Sequence, residues 1–241
     1  MMRKLLLLIS CIFLIPSLAF GAASRDLDGT NDKISFGNSS SLDLTGDWTY
    51  SIWIKRDVDN EEHGVFSKFS SPSTGRQIYI TVESAKQVRV DVPYIKTILR
   101  SGVGNTISAG VWTYLSVTKS GTTWKIYFNG VEKNSAVDAT AQESSTQNTE
   151  IGYDNGNVTP SLYFDGKVSY SKIYNRALSV NEINEDMINP GSVANGVVNF
   201  SPLWGDSPEV DLSGNGNVGT VTEATTSTDG PTVMFGGGLP L

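Results

Sequence analysis

Thr122–Lys133, TTWKIYFNGVEK, decides the fold because it joins a period-two hydrophobic pattern to a turn signal. Trp124, Ile126 and Phe128 alternate with Thr, Lys and Tyr side chains, so they share one face of an extended strand. Asn129-Gly130 follows, and this dipeptide supplies the positive φ angles of a tight hairpin turn. The stretch therefore predicts a strand that reverses directly into an antiparallel partner.

The same alternation recurs elsewhere, in Trp48, Tyr50, Ile52 and Ile54, in Ile78, Ile80 and Val82, and in Val88, Val90 and Val92. A chain built from such strands forms an antiparallel sandwich or barrel. One helix is indicated, because Ser179 and Glu182 have the spacing of a capping box. It should run from about Val180 to Ile188 and end before Pro190.

Residues 1–21 of the 241 have the pattern of a signal peptide. Arg3 and Lys4 precede the apolar run Leu5–Ile15, and small residues then suit cleavage before Ala22, or alternatively after Ala23. The run is short for a transmembrane segment and no charged stop follows it. We therefore expect a secreted or cell-surface protein.

Cys11 offers an alternative route to the surface, because Leu8–Cys11 resembles a lipoprotein cleavage box whose cysteine is acylated. Against this, more apolar residues follow Cys11 than precede it after the charged start. Cys11 is the single cysteine of the chain. If it leaves with the signal, the exported domain folds without disulfides and depends on its core.

The acidic charge limits the partners. The formal net charge is −7, and it becomes −9 when Arg3 and Lys4 are removed. Nucleic acid and anionic membranes require a basic surface, so neither is expected. Neutral sugars, protein surfaces and calcium are compatible with the charge, although solubility alone also explains it.

Longer segments carry a family resemblance. They are WTYSIWIK (48–55), GVWTYLSVTKSGTTWKIYFNGVEK (110–133), NTEIGYDN (148–155) and YFDGKVSYSKIYNRALSVNEI (163–183), with IYNRALS (173–179) the most specific. LDGTNDKISFG (27–37) matches the usual first hairpin. The chain resembles the laminin-G-like, concanavalin A-like lectin/glucanase jelly roll, in the bacterial and phage branch that also resembles pentraxins. The resemblance covers 24 to about 189.

This resemblance implies two antiparallel sheets packed face to face, with loops gathered on one rim. The predicted fold class is therefore all-β, a two-sheet antiparallel jelly-roll sandwich with one short C-terminal helix. The sandwich domain is assigned to 22–189, and 190–241 is a Gly/Ser/Thr/Asn-rich C-terminal extension. DLSGNGNVGT (211–220) resembles a motif that opens such domains, so the extension is either a truncated second copy or, as we favour, a tail that packs back.

No catalytic residue is predicted. The one histidine, His63, stands beside Glu61 and Glu62 in a charged stretch, where a solvated side chain is expected. Without a second histidine or a cysteine in the exported domain, no Ser-His-Asp or Cys-His set can form.

A jelly-roll glycoside hydrolase is the enzymatic alternative, and it needs two carboxylates facing one cleft. The resemblance implies the spacing Glu-x-Asp-x-x-Glu, which Glu209 and Asp211 begin but Gly214 breaks. Glu182 and Glu185 fall on the predicted helix, where a solvated face is the simpler interpretation. The chain is therefore predicted to be non-enzymatic.

Calcium is the cofactor that the resemblance implies, bound at a rim by Asp, Asn and backbone carbonyls. The candidate ligands are Asp28, Asp32 and Asp165, although the first two also suit a simple turn. The family often has an acid after the apolar position occupied here by Val168, and Ser169 replaces it.

The tail provides a second metal candidate, because Asp211, Ser213, Asn215 and Asn217 alternate like the first ligands of a calcium loop. Asp211 and Asn215 are its predicted ligands. Thr222 stands where such a loop needs a bidentate acid, so a plain Gly-Asn turn is the favoured interpretation.

Sugar binding needs aromatic faces together with Asn or Asp side chains. Trp53, Trp112 and Trp124 fall at core positions of the family, so burial is expected for each. The predicted rim residues for a ligand are Tyr153, Asp154, Asn155 and Asn157.

The leading hypothesis is a secreted, non-catalytic recognition module that binds carbohydrate or a protein surface, either with or without the help of calcium. The alternatives are a structural spacer, adhesin or virion-type surface component, and the glycoside hydrolase.

Overall fold

Two antiparallel sheets face each other in the computed structural model, which describes residues 23–71, 74–153, 162–205 and 207–234. The strands are β1 Ser24–Asp28, β2 Lys33–Ser35, β3 Trp48–Arg56, β4 His63–Ser71, β5 Thr74–Val82, β6 Val88–Val92, β7 Lys96–Arg100, β8 Thr113–Ser120, β9 Thr123–Phe128, β10 Val131–Val137, β11 Glu150–Ile151, β12 Asp165–Tyr174, β13 Val197–Ser201, β14 Thr220–Thr222 and β15 Thr225–Ser227. A short 3-10 helix covers Ser40–Leu42, and helix α1 covers Val180–Ile188.

The eight-stranded sheet has the order β10-β9-β8-β3-β12-β1-β15, and β13 also pairs with β12. The seven-stranded sheet has the order β14-β2-β11-β4-β5-β6-β7. This double-layered arrangement confirms the predicted all-β sandwich. Among the described residues no helix is long and apolar enough to cross a membrane.

The decisive hairpin forms where the sequence predicts it. β9 and β10 pair with Phe128 opposite Val131, and Asn129 and Gly130 turn with φ of 49° and 73°. Trp124 is fully buried and meets Trp48 edge to face at 5.7 Å between ring centroids. Both rings belong to the core cluster between the two sheets.

Two predicted core tryptophans lie elsewhere. Trp53 is half-buried and packs against Tyr114, at 5.2 Å, in a second apolar cluster outside the sandwich core. Trp112 is half-buried and donates its indole N–H to Asp229 at 3.0 Å. Burial between the sheets, expected for both, is therefore wrong. Trp53 alternates on β3 with the core residues Ile52 and Ile54 and so points to the opposite face, and Trp112 precedes β8.

Helix α1 lies on the outer face of the eight-stranded sheet. Ser179 and Glu182 form the predicted capping box. Ile183 is buried with Tyr114, Tyr127 and Tyr174, which alternate along their strands with residues of the main core. The helix therefore covers a sheet face that would otherwise expose these three tyrosines.

The chain beyond α1 adds one edge strand to each sheet. These strands lie at the edge opposite β7 in the seven-stranded sheet and at the edge opposite β10 in the eight-stranded sheet. β14 pairs with β2 in one sheet and β15 pairs with β1 in the other. Arg25, which is buried, contacts Glu209 at 2.5 Å and the carbonyl of Ala224 at 3.1 Å. The described tail is thus part of both sheets.

Candidate functional site

An acidic pocket of about 400 Å³ opens at one rim of the sandwich. Its charged lining residues are Asp26, Asp28, Asp32, Asp57, Asp165 and Glu223. The pocket brings together the three calcium candidates of the sandwich domain, because Asp165 joins Asp28 and Asp32 of the first hairpin. Glu223 comes from the turn between β14 and β15, so the tail contributes one wall.

Local contacts occupy several of these carboxylates. Asp28 accepts the backbone N–H of Thr30 at 2.8 Å, and Asp32 accepts that of Asp28 at 3.0 Å. Lys167 lies 3.2 Å from Asp57 and 3.4 Å from Asp26. The first two contacts are those of a turn stabilised by aspartates.

The carboxylates of the acidic pocket also repel one another. Burial raises the pKa of Asp32, although the N–H of Asp28 opposes this, and the charges of Asp28 and Glu223 raise it further. Burial likewise raises the pKa of Asp165, and Asp57 adds to the shift. A cation would relieve this repulsion.

The donor chemistry suits a hard cation, since carboxylate oxygens are preferred calcium ligands. The arrangement is not that of a formed site: within the four described ranges, no group of three or more His, Cys, Asp or Glu side chains is placed to hold a metal ion.

Asp211 and Asn215, the tail candidates, hold a turn. Asp211 accepts the backbone N–H groups of Phe200 at 3.0 Å, Ser213 at 2.9 Å and Asn217 at 2.8 Å. Asn215 donates to the carbonyl of Val197 at 3.3 Å. Both side chains thus fasten the tail to the strand β13.

The predicted rim residues are only partly described. Tyr153 bridges to Tyr163, and their rings stack with centroids 4.8 Å apart. The ammonium of Lys33 lies 4.5 Å from the centroid of Tyr153. Asp154, Asn155 and Asn157 lie outside the described residues.

His63 is not a solvated loop residue, which corrects the expectation from its charged neighbours. It begins β4, is 1% exposed, and accepts the backbone N–H of Asp165 on Nδ1 at 3.0 Å. Its ring also packs edge-on against Phe164 at 5.6 Å. The charged neighbours Glu61 and Glu62 did not indicate this burial, because the charged loop ends at Glu62 and β4 begins at His63.

Two of the carboxylates considered for hydrolysis, Glu209 and Glu182, have structural partners. Glu209 is fully buried against Arg25 and also accepts the N–H of Gly205 at 3.1 Å. Glu182 caps α1 and contacts Arg176 at 2.7 Å. Both carboxylates therefore bind a backbone N–H group and an arginine of the protein itself.

A larger cavity, about 560 Å³, lies on the face of the seven-stranded sheet that points away from the core. We call it the aromatic groove, and its lining includes Phe69, Tyr79, Arg89, Asp91, Val92, Pro93, Tyr94, Ile95, Lys96, Thr97 and Leu162. Val88, Val90 and Val92 of β6 belong to the core, so Arg89 and Asp91 between them face the groove side. Tyr79 stands opposite Asp91 on the neighbouring strand.

The turn between β6 and β7 forms the outer wall of the aromatic groove. Tyr94 and Ile95 are 44% and 42% exposed, and Phe69 meets Tyr94 edge to face at 6.0 Å. Tyr94 has φ of 59°, a left-handed conformation that is rare for a bulky residue. Such strain is found at functional sites, so this turn is a candidate ligand contact.

Charged residues frame the aromatic groove in a closed network. Arg89 contacts Asp91 at 2.7 Å, Glu62 at 2.8 Å and Glu83 at 3.0 Å. Burial would lower the pKa of Arg89, but these carboxylates outweigh it and raise the pKa. Burial alone would raise the pKa of Glu83, but hydrogen bonds from Arg100 and Arg89 lower it.

Sequence reasoning missed the aromatic groove. Pro93 cannot donate a backbone N–H to a strand partner, and the strand that follows it, β7, lies at the edge of its sheet. A tyrosine beside Ile95 on a turn is the signal that was available, because large apolar residues are unusual at such a tip. The proximity of Phe69 and Leu162 depends on the topology and has no signature in the sequence.

Comparison with known proteins gives a consistent family. The Laminin_G_3 model, described as the concanavalin A-like lectin/glucanases superfamily, matches residues 28–184. No curated protein sequence matches the chain significantly.

Three solved structures illustrate the structural similarity. A protein of Bacteroides ovatus proposed to bind carbohydrate has 15% identity and a TM-score of 0.70 over 89% of this chain and 62% of its own. The heptameric SAP-like pentraxin of Limulus polyphemus has 16% identity and a TM-score of 0.53 over 73% of this chain and 84% of its own. The NanB sialidase of Streptococcus pneumoniae has 17% identity and a TM-score of 0.52 over 67% and 27%, respectively.

At these identities the similarity shows the fold alone. The chain spans about 62% of the length of the Bacteroides protein, so the activity of that whole protein does not transfer with the fold.

Proposed function

The chain belongs to the concanavalin A-like lectin/glucanases superfamily, and from this premise we propose that it is a non-catalytic module that binds carbohydrate. The observation that carries the proposal is the aromatic groove, where Tyr94 presents an exposed ring beside Ile95 on a strained turn. Sugar rings have an apolar C–H face that packs on aromatic side chains, and their hydroxyls need nearby polar groups. Asp91 and Thr97 line the same cavity and offer such groups.

Support for a non-catalytic role comes from the carboxylates. Glycoside hydrolysis needs two acids facing one sugar. In the described part of the chain, Asp91 is the one carboxylate that lines the aromatic groove, and it is paired with Arg89. The family includes glucanases, so the test below also measures turnover.

Calcium remains a prediction. Support comes from the placement of Asp28, Asp32 and Asp165 around one acidic pocket at the rim. Export also remains a proposal, based on the sequence pattern of residues 1–23.

The test is a glycan array followed by calorimetry, each with calcium and with a chelator, using the full chain without residues 1–21. Binding to at least one glycan is expected. Tyr94→Ala should weaken it by about tenfold or more, which is about 1.4 kcal/mol, because the exposed ring is lost. The matched control is Val180→Ala, since Val180 is 46% exposed and belongs to α1, which packs on the other sheet.

The outcomes separate the hypotheses. Absence of binding under both conditions contradicts the proposal and favours a spacer or adhesin component. Release of reducing ends from a bound glycan favours the hydrolase. Equal affinity for Tyr94→Ala and the control places binding outside the aromatic groove, and a chelator effect alone would direct attention to the acidic pocket.

A further inference from the structure

The charge network around the aromatic groove limits what kind of sugar it accepts. Arg89 already contacts three carboxylates, those of Glu62, Glu83 and Asp91. A guanidinium in this state has no remaining carboxylate-binding fork for a ligand. An anionic ligand would have to displace one of its partners.

Lys96, the other cation that lines the aromatic groove, is also paired. Its ammonium contacts the carboxylate of Asp138, and that contact, together with hydrogen bonds from Thr140, lowers the pKa of Asp138 to about 2. Within the described part of the groove lining, every cationic side chain therefore has an acidic partner.

The acidic wall of the aromatic groove adds repulsion. Asp91 uses Oδ2 for Arg89, and its Oδ1 is buried from solvent without a hydrogen-bond partner among the described residues. The formal net charge of the chain is −7, so the long-range field also disfavours anions. A ligand carboxylate beside Asp91 would add a like charge to this wall, whereas a neutral hydroxyl would not.

We propose that the aromatic groove is selective for uncharged sugars and discriminates against uronic and sialic acids, an inference that rests on the proposed function. The apolar wall formed by Val92, Pro93, Tyr94 and Ile95 contacts the C–H face of the ring. Neutral ring hydroxyls beside Asp91 meet no like charge. A buried ligand carboxylate finds no counter-ion here, and an unpaired buried charge is strongly unfavourable.

The experiment compares matched pairs of oligosaccharides that differ only by a carboxylate, such as galactose and galacturonate oligomers, or a glycan with and without terminal sialic acid. Calorimetry should give at least about tenfold tighter binding for the neutral member. Equal or tighter binding of acidic members overturns the selectivity but leaves the proposed function standing. Absence of binding to every glycan contradicts the proposed function itself.

Two variants test whether the charge network is the cause. Asp91→Asn keeps the shape and removes one negative charge, so the ratio of neutral to acidic affinity should fall. Glu62→Gln removes a partner from Arg89 at a partly exposed position, and should lower the ratio even if Asp91→Asn does not fold. Glu185→Gln on α1 is the control for net charge, and it should leave the ratio unchanged. An unchanged ratio in a folded groove variant overturns the inference.

Discussion

His63 shows how burial sets the state of a single residue. Its Nδ1 accepts a backbone N–H, so the proton of the neutral ring lies on Nε2. Burial lowers the pKa of His63 to about 4, and the nearby charge of Arg56 contributes. At neutral pH the side chain is therefore an uncharged part of the rim beside Asp165, unsuited to exchanging protons with a substrate.

This pKa gives a pH dependence of stability. Between pH 6.5 and 4 the unfolded chain binds a proton on His63 that the folded chain does not, so the free energy of unfolding falls as the pH falls. The full effect is about 3 kcal/mol below pH 4, and it vanishes above pH 6.5. Urea unfolding of the protein at pH 7, 6 and 5 measures the slope.

His63→Gln is the comparison, because glutamine keeps an acceptor for the N–H of Asp165 and does not titrate. Its unfolding free energy should depend less on pH between 7 and 5. The raised pKa values of Asp32 and Asp165 act in the opposite direction, but both residues remain in the variant. An identical slope in the two proteins would show that His63 is not buried as described.

Helix α1 is anchored to the eight-stranded sheet by Asp186, which is 1% exposed. Its carboxylate contacts the ammonium of Lys172 and accepts hydrogen bonds from Tyr114 at 2.6 Å and Tyr174 at 2.9 Å. The capping box predicted the helix because it is a local pattern. The anchor was not predictable, since Lys172 and Asp186 look like ordinary solvated charges until the helix covers the outer face of the sheet.

Asp186→Ala should lower the free energy of unfolding by about 3–5 kcal/mol, because Lys172 is left buried without its carboxylate. Denaturant unfolding measures the change. The double variant Lys172→Met/Asp186→Leu should recover much of the loss, since it removes both buried charges. A loss below about 1 kcal/mol in Asp186→Ala would mean that the ammonium of Lys172 reaches water, which contradicts the burial of this ion pair.

The tail adds strand β14 to one sheet and strand β15 to the other, and sequence analysis predicted neither strand. Strands β14 and β15 have three residues each and are rich in threonine, too short and too polar to show a period-two pattern. Their pairing with β2 and β1 is a property of the assembled sheets. The aromatic groove is hidden from sequence analysis for the same reason, because its walls come from separate strands and loops.

Breaking the buried ion pair between Arg25 and Glu209 should release the tail from the sheets without unfolding the sandwich. Glu209→Ala takes the carboxylate from Arg25, so exchange of amide hydrogens in 220–227 should rise at least about tenfold, while β3 and β8 in the centre of their sheet stay protected. Hydrogen exchange read by mass spectrometry measures both regions. Glu223→Gln, an exposed tail variant whose side chain meets Asn31, is the control and should leave the strands protected. If the tail strands of Glu209→Ala exchange no faster, their attachment depends on the strand pairing rather than on the ion pair; if β3 and β8 also open, the tail belongs to the cooperative core.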